Sequence, residues 1–343
     1  MSAVDPLSEI LTLAGARCVI SGELRAGGRW SVRFRTDAVV KLDAVARGAC
    51  WLIADDGEPL RLTAGDAVVL NGARTMVLCS DPALRPVDAT GRAPEAAGET
   101  TRYGDGEDVV VVGGHVDLDP VAGSLFTTAL PPVLRAGAGT AEAAEMRRSL
   151  DRITREAGAD RPGAAFATDQ HAQLLLLEAL RVGLGQEELG RAALRRPGWL
   201  RLLADPRLRP AVRLLHGDPA RAWSLAGLAS AAGMSRSHFA QRFREVSGVP
   251  PLTYLSHWRV LLAERALRDT DVTVAALGAR LGYASESSFS HAFTRVTGTP
   301  PSRYRRAAAQ RSREPGAGSS RTVEPDRATS VLTVAATPAN RGC

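Results

Sequence analysis

The sequence predicts an α+β chain: a β-rich front, a helical connector and an all-α back. Three observations carry that expectation. Short alternating apolar runs fill the chain up to residue 134, the period turns helical from Thr140, and one stretch near the end is written twice.

In the front, residues 1–134, the runs "WSVRF", "CWLI", "DAVVL" and "DVVVVGGHV" are separated by Gly, Asp and Pro, as strands of a small sandwich or barrel would be. The stretch from Pro86 to Asp108, rich in Ala, Gly, Glu and Thr, reads as a long exposed loop. The connector, residues 135–210, holds "AEAAEMRRSLDRITREA", where Met146, Leu150 and Ile153 share one helical face. A second helix, "DQHAQLLLLEALRVGL", carries Leu174, Leu175, Leu176, Leu177 and Leu180, too many for one narrow stripe. It is expected to be buried on more than one side, within its domain or against a second copy in a homodimer. Residues 184–210 read as further short helices and a turn, "ADPRLRP". Residues 211–311 form the back, and residues 312–343 read as a disordered tail without apolar period.

A length of 343 residues suits two or three domains, and an apolar fraction of 45% fits a soluble globular protein. No targeting segment and no membrane-spanning run is recognisable, so a cytoplasmic location is expected, with no membrane partner. Cys18, Cys50, Cys79 and Cys343 are widely spaced and form neither a zinc motif nor a disulfide framework. The net charge of +6 is unevenly distributed. Residues 211–311 hold 14 Arg against 6 acidic groups, whereas residues 1–210 carry 25 basic and 28 acidic ones. A basic back on a mildly acidic front points to a polyanionic partner for the back. The near absence of lysine, with only Lys41, reads as compositional bias.

"SRSHFAQRFREVSGVPPLTYL" at 235–255 and "SESSFSHAFTRVTGTPPSRYR" at 285–305 are versions of one pattern fifty positions apart. Phe239, Phe243, Val246, Gly248, Pro251 and Tyr254 become Phe289, Phe293, Val296, Gly298, Pro301 and Tyr304. Upstream, Ser224, Leu228 and Gly233 match Thr273, Leu277 and Gly282 with an offset of 49. In each unit a capped helix leads through a glycine turn to a second capped helix, with the aromatic residues at i and i+4 turned inward. Two helices joined in this way, the second of them polar outside, make a helix-turn-helix whose second helix enters the major groove of DNA. Ser235, Arg236, Ser237, Gln241 and Arg242 are the candidates for base or phosphate contact in the first unit. Ser285, Glu286, Ser287, Ser288, His291 and Arg295 are those of the second. Arg259, in the helix between the units, is a candidate to bind phosphate or to hold that helix by a salt bridge. Glu286 sits awkwardly near phosphates, though a carboxylate can accept from cytosine N4, so weaker base discrimination is expected of the second unit.

At "GMSRSHFAQRFREVSGVPPLTYL", the linker "HWRVLLAERAL" and "LGYASESSFSHAFTRVTGTPPSRYR" the chain resembles the AraC/XylS family of bacterial transcription regulators. That resemblance implies a double helix-turn-helix reader of double-stranded promoter DNA, activation as the common outcome and RNA polymerase as a further partner. The front, including "ACWLIADDGEPLRLTAGDAVVL", resembles the cupin-type sensor barrel of one subgroup, which implies an effector of unspecified chemistry.

Cupin metal centres use His and Glu ligands. The corresponding segments here, "VVKLDAVARG" and "NGARTMVL", contain no histidine, and His115 is the only histidine before residue 171, so neither a metal nor another cofactor is expected. No catalytic motif is present, and the chain is read as a regulator and not an enzyme. A cupin-type enzyme with accessory DNA binding is the alternative, and an architectural DNA-binding protein a third. Cys18, Cys50 and Cys79 all fall in the sensor half, where an oxidised thiolate could reshape the domain; against this stands the plainer reading of Cys50 as a small buried hydrophobe.

Overall fold

The computed structural model describes residues 5–89, 99–119, 123, 126–127, 130–138, 143–157, 161–185 and 198–313. The chain divides into two compact units, Gly15–Arg196 and Met1–Ala14 together with Pro197–Cys343. Of the expected tail, residues 312–313 end the last helix and residues 314–343 lie outside the described residues.

The first unit contains β1 (Arg17–Gly27), β2 (Ser31–Arg35), β3 (Val40–Arg47), β4 (Ala49–Ala54), β5 (Leu60–Thr63) and β6 (Ala67–Asn71). It continues with β7 (Thr75–Cys79), β8 (Val87–Asp88), β9 (Glu99–Gly104), β10 (Val109–Asp117) and β11 (Val133–Ala136). They form a six-stranded sheet, β11-β6-β3-β10-β1-β9, and a five-stranded sheet, β5-β4-β7-β2-β8. Pairing is antiparallel except for β9 beside β1 and β8 beside β2. The expected barrel is therefore open. Edge strands β5, β8 and β11 have only 4, 2 and 4 residues, and among the described residues no ladder joins one sheet to the other. A second correction concerns Pro86 to Asp108, which is not all loop, because β8 and β9 extend the two sheets at their edges.

Alternation along each strand builds the core between the sheets. Leu24, Val45, Val68 and Val111 meet Val32, Leu52, Leu62 and Leu78 there, each at most 7% exposed. By the same period of two, Lys41 and Asp43 share the inner face of β3 with Val45, while Leu42 and Ala44 turn outward. Helices α2 (Ala143–Ala157) and α3 (Ala164–Gly185) follow. Met146, Leu150 and Ile153 are buried as their spacing predicts, together with Leu175, Leu176 and Leu180 of α3, which packs against β1 and β11. Leu174 and Phe166, by contrast, are exposed.

The turn before β6 is clasped by one carboxylate. Asp66 accepts from the Thr63 amide and hydroxyl, the Ala138 amide and the Arg135 guanidinium at 2.7 to 3.1 Å. Burial alone would raise its pKa, yet these donors hold it below the usual carboxylate range.

Among the described residues the second unit forms only helices: α1 (Pro6–Leu13), α4 (Trp199–Ala204), α5 (Arg209–Gly217), α6 (Leu225–Ala231), α7 (Arg236–Ser247), α8 (Pro251–Asp269), α9 (Val274–Arg280), α10 (Glu286–Thr297) and α11 (Pro301–Arg313). Leu202 and Leu208, from the stretch expected to be connector, share one core with Leu215, Leu228, Phe239, Phe243 and Leu255. The N-terminal α1 belongs here too. Asp5 caps it, Pro6 opens it, and Leu7, Ile10 and Leu13 are buried as it packs on α5 and α8.

Candidate nucleic-acid interface

The duplication is structural as well as sequential. Ser224 and Thr273 cap α6 and α9 through the amides of Gly227 and Ala276, and Ser235 and Ser285 cap α7 and α10 through those of His238 and Ser288. Between the helices of each pair, Gly233 and Gly282 turn the chain at φ +63° and +79°. Behind α7, Phe239, Phe243 and Tyr254 form a run of rings 5.6 Å apart; behind α10, Phe289, Phe293 and Tyr304 repeat it at 5.8 and 5.5 Å. All four phenylalanines are fully buried, while Val296 is half-buried where Val246 is buried.

Burying that face leaves the opposite one polar and exposed. On α7 it presents Arg236, Ser237, His238, Gln241 and Arg244; on α10 it presents Glu286, Ser287, Ser288, His291 and Arg295. In the fifty-residue register Ser237 matches Ser287 and Gln241 matches His291, so both helices carry short hydrogen-bonding side chains at the same two positions one turn apart. Gln241 donates to Glu245 at 2.9 Å, a bond that a base edge would have to displace.

Several candidates have further work inside the unit. Ser235, Ser285 and Ser288 spend their hydroxyls on the caps, with Ser288 closing a capping box on Ser285. Arg242 is ion-paired with the buried Asp205 at 2.8 Å. The guanidinium of Arg259 donates to the carbonyls of Pro219 and Arg221 at 2.6 and 3.1 Å and lies over the Tyr283 ring. Burial lowers its pKa from the ordinary arginine value. It clamps the 219–221 turn through carbonyls, where phosphate binding or a salt bridge was the expectation. His238 and Arg244 were not singled out from sequence, although the register that picked Ser288 also marks His238.

Helix α8 joins the two halves. Its 19 residues span about 28 Å, and it is buried along its length by Tyr254, Leu255, Trp258, Leu261, Ala263 and Leu267. Where it meets α5 and α1, the buried His216 bonds Glu9 through Nδ1 and the Tyr254 hydroxyl through Nε2, both at 2.8 Å, and stacks on Trp258. Burial depresses the His216 pKa against the pull of Glu9. A neutral imidazole fits these bonds: Nδ1–H donates to the carboxylate, and the phenol, kept protonated by burial, donates to Nε2.

In the first unit the three cysteines are free and buried. Burial pushes the Cys18 and Cys50 thiols up to about 12 and raises that of Cys79. His115 bonds Ser21 at 3.0 Å and faces Asp117, and among the described residues no group of three or more His, Cys, Asp or Glu is arranged to hold a metal. Nor is any described helix long and apolar enough to cross a membrane.

Comparison with known proteins adds the following. The family described as Cupin matches residues 5–184, and the family described as Helix-turn-helix domain matches residues 228–307. A protein of Streptomyces lividans named as an AraC-like transcription regulator is 41% identical over 305 residues, covering 88% of this chain and 98% of its own. The RCS-specific HTH-type transcriptional activator RclR of Escherichia coli is 28% identical over 306 residues, 88% of this chain and 97% of its own. Among solved structures, the DNA-binding domain of AdpA in complex with a target DNA matches 32% of this chain and 99% of its own at 33% identity, with a TM-score of 0.30.

Proposed function

The chain belongs to the AraC-like transcription regulators, joining a cupin domain to a DNA-binding helix-turn-helix region, and from that premise we propose how its residues divide the work. Helices α7 and α10 lie in successive major grooves of double-stranded promoter DNA. Ser237 and Gln241 read base edges from the first, and Ser287 and His291 from the second. Arg236, His238, Arg244 and Arg295 reach phosphates, and the capped N-termini at Ser235 and Ser285 offer them backbone N–H groups. Arg242 and Arg259 hold the scaffold. The first unit is the sensor, and the bound protein activates transcription through RNA polymerase, the direction that the name of the Escherichia coli relative also carries. Self-association through Phe166 and Leu174 on α3, a cytoplasmic location and the absence of catalysis complete this reading.

The observation that carries it is the matched exposure of positions 237 and 241 with 287 and 291 over two identical aromatic cores. A footprint of the full-length protein on the DNA beside its own gene tests it. Protection of two neighbouring segments about 34 Å apart is expected. Gln241→Ala and His291→Ala should each weaken binding by about 1–3 kcal/mol and relax specificity at one segment only, the loss being smaller for the Glu286-bearing helix. Affinity set by salt alone, equal for all sequences, would refute it.

A further inference from the structure

The two copies of the repeat depart from one another where they meet. Residues that build a helix-turn-helix unit occur in both copies, as the caps, the turn glycines and the inward phenylalanines do, so a residue placed in one copy alone has another task. The fifty-residue register sets Ala309 against Arg259, and the 49-residue register of the turns sets Met234 against Tyr283. The backbone fixes the second match: the Met234 amide donates to the Ala229 carbonyl and the Tyr283 amide to that of Gly278, at 2.9 and 3.0 Å. Gly233 has nothing within 4 Å of an added Cβ, whereas Gly282 lies against the Ala220 carbonyl. These three departures converge on one joint.

Arg259 stands near the middle of α8. Its guanidinium donates to the three consecutive carbonyls of Pro219, Ala220 and Arg221 at 2.6, 3.4 and 3.1 Å. That turn leads from α5 into the first helix-turn-helix. Within it Trp223 donates to the Asp218 carbonyl at 2.8 Å and Arg221 lies over the Trp223 ring, next to the cap at Ser224. The guanidinium carbon is also 5.4 Å from the centre of the Tyr283 ring, and that ring is 5.3 Å from Phe289, the first inward phenylalanine of α10. One side chain therefore holds the entry of the first unit and the turn of the second. A planar head with several fixed donors can serve three carbonyls and still present a face to a ring, which an ammonium, a point charge, cannot.

Helix α8 sets the distance between the two units, but a rod does not fix rotation about its own axis. A tie off that axis does. Reading successive grooves requires both, because one base pair changes the separation by about 3.4 Å and the facing by about 35°.

We propose that Arg259 is a positioning residue of the DNA reader: by tying the 219–221 turn to Tyr283 it fixes the angle between α7 and α10 and so limits the protein to one spacing of its two DNA segments. It does this without touching DNA. The proposal rests on the reading of α7 and α10 as the groove-entering helices and adds what sets their spacing.

Two measurements separate this role from a phosphate contact. In full-length protein carrying Cys343→Ser, where Cys18, Cys50 and Cys79 are buried, spin labels at Ser237→Cys and Ser287→Cys report the distance between α7 and α10 by pulsed electron resonance in the absence of DNA. A single narrow distribution is expected. Arg259→Ala and Arg259→Lys should each broaden it about twofold or more, and Tyr283→Leu, which keeps the carbonyl bonds, should broaden it less. On the DNA protected in the footprint, one base pair inserted between the two segments should cost the unlabelled wild type about tenfold or more in affinity, and each Arg259 variant about threefold or less. Base changes within either segment should cost the variants as much as the wild type.

A phosphate contact would leave the distribution narrow, weaken binding alike at both spacings, lower the salt slope by about one in Arg259→Ala and survive in Arg259→Lys. That result overturns the proposal, as does an unchanged spacing penalty in both variants. If Arg259→Ala fails to fold, Arg259→Lys and Tyr283→Leu decide the same comparison. A wild-type protein that protects no DNA refutes the groove reading and the spacing role with it, while the distance distributions still decide whether Arg259 sets the angle.

Discussion

The two turn glycines occupy the same place in the repeat and should not tolerate alanine equally. Both have positive φ, where a Cβ costs roughly 1–2 kcal/mol, and both return about 0.4–1 kcal/mol through the stiffer unfolded chain. At Gly233 nothing lies within 4 Å of the added atom, so Gly233→Ala should lose about 1 kcal/mol or less. At Gly282 the same atom would sit 2.0 Å from the Ala220 carbonyl oxygen and 2.7 Å from its carbon. That carbonyl cannot retreat freely, because Arg259 holds the residues on either side of it through Pro219 and Arg221. Moving the turn means giving up those charge-assisted bonds, about 1.5–3 kcal/mol each, in addition to the backbone strain. Gly282→Ala should therefore cost at least ~3 kcal/mol and lower the melting temperature of the helical unit by about 10 °C or more. Urea titration followed by the fluorescence of Trp223 and Trp258, with far-ultraviolet dichroism alongside, measures both variants. Losses equal within about 1 kcal/mol would refute the claim that the Arg259 clamp separates the repeats.

His216 should make the helical unit sensitive to acid. Its pKa is depressed in the fold and near 6.5 unfolded, so the unfolded chain binds the proton first; stability is complete above about pH 6.5 and falls as pH drops toward the folded value. His216→Gln should flatten that slope between about pH 7 and 5, and an unchanged slope would show that another group sets it. At neutral pH, Cys18, Cys50 and Cys79 should resist iodoacetamide in the native protein and label only on unfolding, read by mass spectrometry. Rapid native labelling at any of them would favour that thiol as a sensor. Asp66→Ala, which strips four hydrogen bonds and leaves Arg135 without its buried partner, should destabilise the sandwich by about 3–5 kcal/mol in thermal melts.

What sequence could reveal follows the range of the interactions involved. The caps at Ser224, Ser235, Thr273 and Ser285, the turns at Gly233 and Gly282 and the inward phenylalanines are all local or periodic, and each can be read within a few residues of itself. Strand β9, "ETTRYG", could not be, because it is polar, sits at a sheet edge and pairs in parallel with a strand some eighty residues earlier. Helix α1 was equally opaque: its amphipathic spacing is ordinary, and only tertiary contact assigns it to the helical unit. The same limit applied within the interface. Sequence identified Arg236, Arg242 and Arg259 as basic residues near an exposed polar helix face, but which arginine meets a carbonyl and which meets Asp205 is decided by neighbours about forty residues away.

Lys41 shows the converse case, in which composition contained the signal and gave no means of reading it. A lone lysine in an arginine-rich chain is uninformative until its neighbours are known. Beside it on β3, Asp43 looks in sequence like any strand aspartate, and Gly113 looks like a weak point in "VVVVGGHV". Only the antiparallel register brings the three together, setting glycine opposite aspartate and leaving an oxygen without a partner in an apolar space.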